Sequence, residues 1–233
     1  MRSIVRASER HRGKEPPVLV FDLDGTLLDN RPRFVRILHE LAESWSATRT
    51  ELSKKLEGAN VDGIVYGLRE NLVALSIDDP TIEAEAFEFW KARFFVDAYM
   101  KYDVATKGAV DFANACYRAG ATLVYLTGRD LPNMALGTFA SLRDCGFPIG
   151  VVGTSLVTKP AFEIPDADFK RDVAPDLDRH GRVEATFDNE PANTNLFIEH
   201  HPQARNVFLD THHAPAPPAL DERAVIIDSF ELE

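Results

Sequence analysis

An apolar run, Val18-Leu19-Val20-Phe21, ends in Asp22-Leu23-Asp24-Gly25-Thr26-Leu27, so what reads as a buried strand delivers two carboxylates two residues apart. Residues two apart in a strand point the same way, which starts Asp22 and Asp24 on one face and leaves Gly25 free to break the strand after them. Two clustered anions are costly unless a cation joins them. A hard divalent cation such as Mg2+ takes oxygen ligands and usually keeps water that a phosphate can displace, so the pair points to a metal-dependent phosphate site. The competing reading is a solvated strand end before an Asp-Gly turn.

Partners for such a pair must be delivered by other strands. In an open parallel sheet, ligands bind beyond the carboxyl ends of the strands. Leu126-Thr127-Gly128-Arg129-Asp130 stands at such a place, after the apolar run Thr122 to Leu126. Thr127 offers a hydroxyl and Gly128 an unobstructed backbone N–H to a phosphate oxygen, and the positive end of the following helix lies nearby. Arg129 either adds charge there or is solvated on the surface. Phe187-Asp188-Asn189-Glu190-Pro191 ends a further strand, Val183 to Phe187, with an acid, which also fits an Asx turn capping the next helix.

The elements that must position these groups fall into two patterns. From Pro32 to about Ala105 the chain reads as helical. Phe34, Ile37, Leu38, Leu41 and Trp45 form one stripe, and Ile64, Leu68, Leu72 and Leu75 a second. A third helix follows Pro80, with Thr81 as a possible cap and with Ile82, Ala86, Phe89, Trp90 and Phe94 facing inward; its aromatics either pack in the core or roof a pocket.

Helices and strands then alternate. Helices are expected over Ala109 to Arg118, Pro132 to Asp144, Asp168 to His180 and Ala192 to His200. Strands are expected over Ile149 to Val157, Val207 to Leu209 and Ala224 to Ile227, besides those already named. This alternation predicts an α/β fold, a parallel sheet covered by helices on both faces, with the helical block 30–105 inserted after the first strand. Residues 1–17, polar, basic and ending in Pro16-Pro17, are expected to form a flexible tail.

Composition narrows the functional classes. With 26 basic and 37 acidic residues among 233, the net charge of −11 argues against generic binding to nucleic acid or to anionic membranes. No run approaches the apolar length of a membrane span, and Met1 to Lys14 lacks an apolar stretch of the signal-peptide kind, so a cytoplasmic location is expected. Cys116 and Cys145 sit apart in helical patterns and read as reduced packing residues. The pairs His200-His201 and His212-His213 have no ligand-like spacing, and neighbours in sequence do not share a helix face.

Asp22, Asp24, Thr26 and Leu27 match Asp-x-Asp-x-Thr-Leu, and the chain therefore resembles the haloacid dehalogenase-like hydrolase superfamily. The resemblance implies a Rossmann-like core, 18–29 with 106–233, and a C1-type helical cap, 30–105. It also implies covalent catalysis, in which Asp22 attacks phosphorus and Asp24 protonates the leaving oxygen and later deprotonates the hydrolytic water. A carboxylate at Asp24 favours phosphoryl transfer over carbon–halogen cleavage.

Thr127 matches the second motif of that family. Asp188 resembles the metal-binding Asp of the fourth, although Phe187 precedes it and Asn193 stands where an acid is usual, leaving the roles of Asn189, Glu190 and Asn193 open. The metal ligands so implied are the Asp22 carboxylate, the Asp24 backbone carbonyl and Asp188. The third motif is a single lysine; Lys159, which closes a strand, is a candidate, but Lys170, which begins the helix before the strand of Asp188, the usual family location, is the expected one. The expected activity is a Mg2+-dependent phosphatase acting on a small phosphorylated metabolite. Its rivals are a phosphomutase or phosphotransferase, a dehalogenase, and a non-catalytic phosphate-binding protein.

Overall fold

The computed structural model describes residues 1–10 and 16–231, apart from the side chain of Arg10. A six-stranded parallel sheet is built from β1 (Pro17–Phe21), β4 (Thr122–Asp130), β5 (Thr154–Lys159), β6 (Arg182–Asp188), β7 (Arg205–Leu209) and β8 (Val225–Ile227), in the order β5-β4-β1-β6-β7-β8. The other two strands, β2 (Leu28–Asp29) and β3 (Val104–Ala105), pair antiparallel with each other, Leu28 opposite Ala105 and Asp29 opposite Val104.

Alternation along the strands explains the covering of both faces. Leu19 and Phe21 of β1 turn to one side, where α6 (Ala109–Arg118) contributes Phe112 and Cys116 and α7 (Leu131–Cys145) contributes Leu142; Val18 and Val20 turn to the other, where α8 (Asp166–Val173) and α9 (Pro191–His200) contribute Phe169 and Phe197. β1 is central and buried throughout, and Phe21 stacks on Phe187 of β6 with ring centroids 4.7 Å apart.

Between the two short strands lies a helical insertion of α2 (Arg31–Trp45), α3 (Thr50–Glu57), α4 (Leu68–Ala74), α5 (Pro80–Phe94) and short 3-10 turns. It has its own cluster of buried residues, including Phe34, Leu38, Leu41, Trp45, Leu56 and Leu72, as the two stripes predict. The β2–β3 pair ties the outgoing and returning connections at its neck. Asp79, not Thr81, caps α5: its carboxylate accepts from the N–H groups of Thr81 and Ile82, with Pro80 at the first turn.

Three sequence expectations are corrected. Arg2–Arg10 is a helix, α1, which seats Ile4 in the cluster beside the sheet, so this part of the expected tail is a packed element; residues 11–15 lie outside the described residues. A basic, polar segment conceals a helix when only Ile4, Ala7 and Ser8 of it are buried. The strand expected over Ile149 to Val157 starts only at Thr154, because Gly150 and Gly153 adopt positive φ and turn the chain. Lastly, α8 stops at Val173 and continues as a 3-10 helix, Ala174–His180, where Pro175 interrupts the α pattern. No helix among the described residues is long and apolar enough to cross a membrane.

Candidate active site

The carboxyl ends of the neighbouring strands β1 and β6 bring Asp22 and Asp188 together, each almost wholly buried. Lys170 reaches between them from α8: its Nζ donates to Asp22 Oδ1 and to Asp188 Oδ2, at 2.7 Å each. Lys159 does not enter this cluster. Its ammonium bonds Asp166 and the carbonyls of Phe162 and Ile164.

Burial dominates the electrostatics. Desolvation raises the Asp22 carboxyl, Lys170 lowers it and Asp188 raises it again, leaving it pushed up to about 7. Burial also works against the charge of Lys170, but Asp188 and Asp22 outweigh it and hold the ammonium firmly protonated. One buried cation therefore serves two buried carboxylates, a deficit of one positive charge.

The remaining polar atoms are tied in. Thr26 Oγ1 donates to Asp22 Oδ2 (3.0 Å) and to Asn189 Oδ1 (3.1 Å), while Asp188 Oδ1 accepts from the Glu190 N–H (2.9 Å) and from Asn193 Nδ2 (3.2 Å). Asn193 thus orients Asp188 directly, whereas Asn189 reaches Asp22 only through Thr26, whose one hydroxyl proton the two share. Gly25, at φ +77°, admits this packing: a Cβ there would stand 2.3 Å from Asn189 Nδ2.

Asp24 is held by a separate buried network. Arg129 Nε and Nη2 donate to its two oxygens (2.7 and 2.8 Å), Arg33 Nη2 donates to Oδ1 (2.8 Å) and Asn30 Nδ2 adds a third bond to that atom (3.0 Å). Burial opposes the charge on Asp24, but Arg129 and then Arg33 overcome it and hold the carboxyl far below the usual range. So held, Asp24 is an anion, and acid–base work at this position requires these bonds to be exchanged for bonds to a substrate.

Asp103, from the returning neck of the insertion, joins the two guanidiniums: Arg129 Nη2 lies 2.7 Å and Arg33 Nε 3.0 Å from its oxygens. Arg129 is only 2% exposed, which excludes the solvated alternative considered from sequence. Sequence reasoning missed Arg33 and Asp103. A signal for the first exists: Arg33 stands four and eight residues before Ile37 and Leu41 on the apolar stripe of α2, where a cation demands a buried partner. Because Asp103→Ala leaves two buried guanidiniums sharing one carboxylate, it is expected to lower stability by about 3 kcal/mol in denaturant titration, and a loss under about 1 kcal/mol would remove any structural weight from the network.

Thr127 is buried beside this network, its Oγ1 accepting from the Arg129 N–H at 3.2 Å, and Gly128 borders the cavity over Asp22. A Cβ on Gly128 would collide with the Asp166 carboxylate, 2.1 Å away, so a larger residue would displace a group at the cavity mouth. His212 also borders the cavity, whereas His201 is buried elsewhere against the Ala174 carbonyl.

The donor chemistry suits a hard cation. Asp22 and Asp188 present carboxylate oxygens side by side, and the buried pair lacks one positive charge. Among the described residues no group of three or more His, Cys, Asp or Glu side chains is arranged around a metal position. A cation here would rest on two carboxylates with main-chain, water and substrate oxygens, the mode in which Mg2+ is usually bound.

A parallel sheet with carboxylates, a lysine and a threonine gathered at its strand ends defines the class, an α/β protein with a charge-lined site beyond the sheet. Residues 16–192 match the haloacid dehalogenase-like hydrolases, and the chain belongs to that family. No curated protein matches the chain. Among solved structures, it is similar in fold to Mycobacterium tuberculosis Protein Tyrosine Kinase A (15% identity, TM-score 0.55, covering 93% of this chain and 95% of that one). It is similar also to a HAD-superfamily hydrolase of subfamily IA, variant 1, from Geobacter sulfurreducens PCA (15% identity, TM-score 0.52, covering 92% of each).

Proposed function

We propose that this hydrolase is a Mg2+-dependent phosphatase that cleaves a small phosphorylated metabolite through an aspartyl-phosphate on Asp22. The observation that carries the reading is Lys170 Nζ held 2.7 Å from both Asp22 Oδ1 and Asp188 Oδ2 at the ends of adjacent strands. A cation so held compensates the nucleophile and an incoming phosphoryl group together, and charge compensation is where most catalysis of this reaction lies.

In this reading 18–29 and 106–233 form the core and 30–105 the cap. Asp22 attacks phosphorus, forming a P–O bond to its carboxylate as the ester P–O bond breaks; Asp24, once its bonds to Arg129 and Arg33 are exchanged for bonds to the substrate, takes up a proton from solvent and passes it to the departing oxygen. Water then attacks the phosphorus of the aspartyl-phosphate, passes a proton to Asp24 and restores Asp22. Thr127 Oγ1 and the Gly128 N–H bind phosphoryl oxygens, and Lys170 neutralises charge throughout. The Asp22 and Asp188 carboxylates and the Asp24 carbonyl would hold Mg2+, which when bound would supply the positive charge that the buried pair lacks. The insertion, seated over the cavity, excludes bulk water.

Purified protein with Mg2+ is expected to release inorganic phosphate from some members of a panel of phosphomonoesters, with label from isotope-labelled water in the product. Transfer to a second hydroxyl in place of water would make it a phosphotransferase or mutase. If no phosphoester reacted, the chain would be a phosphate-binding protein. Mg2+ is also expected to raise the unfolding temperature of the wild type and to do so much less in Asp188→Asn, since a ligand bound only by the native state stabilises it.

A further inference from the structure

We infer that the phosphorylated substrate is a monophosphate ester whose alcohol carries an aromatic ring, bound against a wall of aromatic side chains contributed by the insertion. This deepens the phosphatase reading and rests on it.

A cavity of about 480 Å³ opens from Asp22 and Lys170 up to the insertion. Its near end is charged, whereas its far end is walled by Trp90, Phe94 and Phe95, with Phe34, Val65 and Met134 beside them. The wall is preassembled. Trp90 and Phe94 stack with centroids 4.6 Å apart, Phe95 meets Trp90 edge-on at 5.2 Å and Phe94 edge-on at 5.1 Å, and Phe34 backs both Trp90 (5.6 Å) and Phe94 (5.8 Å). Phe34 is buried, whereas Trp90, Phe94 and Phe95 keep part of their surface open. A flat apolar group is what rings so arranged take up at least cost in ordering.

Charge narrows the class further. The cations bordering the cavity, among the described residues, are Lys170 and Arg129, and both are already committed, Lys170 to Asp22 and Asp188 and Arg129 to Asp24 and Asp103. Asp166 and Glu190 add carboxylates to the rim. Burial first, then the charge of Arg31, keeps His212 more readily neutral, against the pull of Asp29. Even when Asp24 gives up its arginine bonds, Asp103 keeps Arg129 paired and Lys170 stays between Asp22 and Asp188, so a second phosphate would face the rim acids, and bisphosphates and nucleoside di- or triphosphates are disfavoured. Besides Asn30 and Tyr66, the insertion's side chains on the cavity are apolar and offer no partner to the hydroxyls of a sugar.

The test compares alcohols of similar leaving ability: 2-phenylethyl phosphate, sn-glycerol 3-phosphate, glucose 6-phosphate and fructose 1,6-bisphosphate, with Mg2+ and the full chain. The phenylethyl ester is expected to exceed each of the others in kcat/KM by about tenfold or more, from burial of its ring. Trp90→Ala, and the milder Phe95→Leu should the first fail to fold, are expected to shrink that ratio several-fold. Equal or better turnover of any of the other three esters overturns the inference while leaving the phosphatase reading intact.

Calorimetry with unreactive 2-phenylethylphosphonate and methylphosphonate separates the two proposals. If no ester turns over, the phosphatase reading fails and takes with it the ester's role as substrate; the aromatic wall as a binding site for the ring is then upheld by an aryl phosphonate that binds about tenfold more tightly than the methyl one, and overturned by equal binding.

Discussion

Asp22→Asn is expected to reduce phosphate release by about 10³-fold or more while the protein still folds, because the substitution removes the attacking oxygen's charge and changes almost nothing in volume. The amide can still accept from Thr26, whose Oγ1 lies 3.0 Å from the present carboxylate. Substantial residual turnover, or a variant that still accumulates a covalent phosphoenzyme, would remove Asp22 from the nucleophile's role. Stability supplies an independent reading. Burial raises the Asp22 carboxyl from 3.8 to about 7. A group raised in this way favours folding fully below its unfolded value, and that contribution is lost as pH climbs through the folded one. Measured without divalent cation, the wild type is therefore expected to lose stability relative to Asp22→Asn between about pH 4 and pH 8. A difference that ran the other way, with wild type gaining on the variant, would mean that the pair is already neutralised by Lys170 alone.

The second large effect belongs to Lys170. Lys170→Ala leaves Asp22 and Asp188 facing each other in a buried site with no cation, and is expected to cost about 3–5 kcal/mol of stability together with about 10²-fold or more in kcat/KM. Lys170→Met, which keeps the volume and removes only the charge, separates lost packing from lost electrostatics. Lys159→Ala should do far less to activity. Its ammonium serves two loop carbonyls and Asp166, whose side chain is 61% exposed. Greater damage to activity from Lys159→Ala than from Lys170→Ala would reverse the assignment of the two lysines. Because the pair Asp22 and Asp188 repels itself without Lys170, Mg2+ is expected to recover part of the lost stability in Lys170→Met, and absence of any such recovery would argue that no cation binds the two acids.

Much of this site was legible because it is built from strand ends. A run of apolar residues closing on an acid states both where the strand stops and what it presents, and this holds for Asp22 and Asp188; β4 runs on past Thr127 to Asp130, with its pairing to β5 shifting register between the two. Helix periodicity likewise marked the insertion, since its stripes bury against each other. The aromatics of α5 had two readings from sequence, and both apply: Trp90 and Phe94 pack against the insertion's core and also border the cavity.

What stayed hidden shares a physical cause. Arg33, Asp103 and Arg129 are far apart in the chain, and a charged residue looks solvated in any local window until its partner is known; only the closing of the neck against β4 makes them one buried network around Asp24. The same limit concealed α1, whose few buried side chains acquire meaning only when Ile4 meets the sheet's cluster.

By itself the sequence determined the alternation that makes a parallel sheet, the helical block set into it and the acids at its strand ends, because these follow from local periodicity and strand-end chemistry. Tertiary structure alone decided that the Lys170 ammonium lies between Asp22 and Asp188, a lysine its place before β6 had favoured, that Asp24 is clamped by two arginines, and that aromatic rings stand over the charges, because proximity across long stretches of chain is a property of the packed fold and of no segment within it.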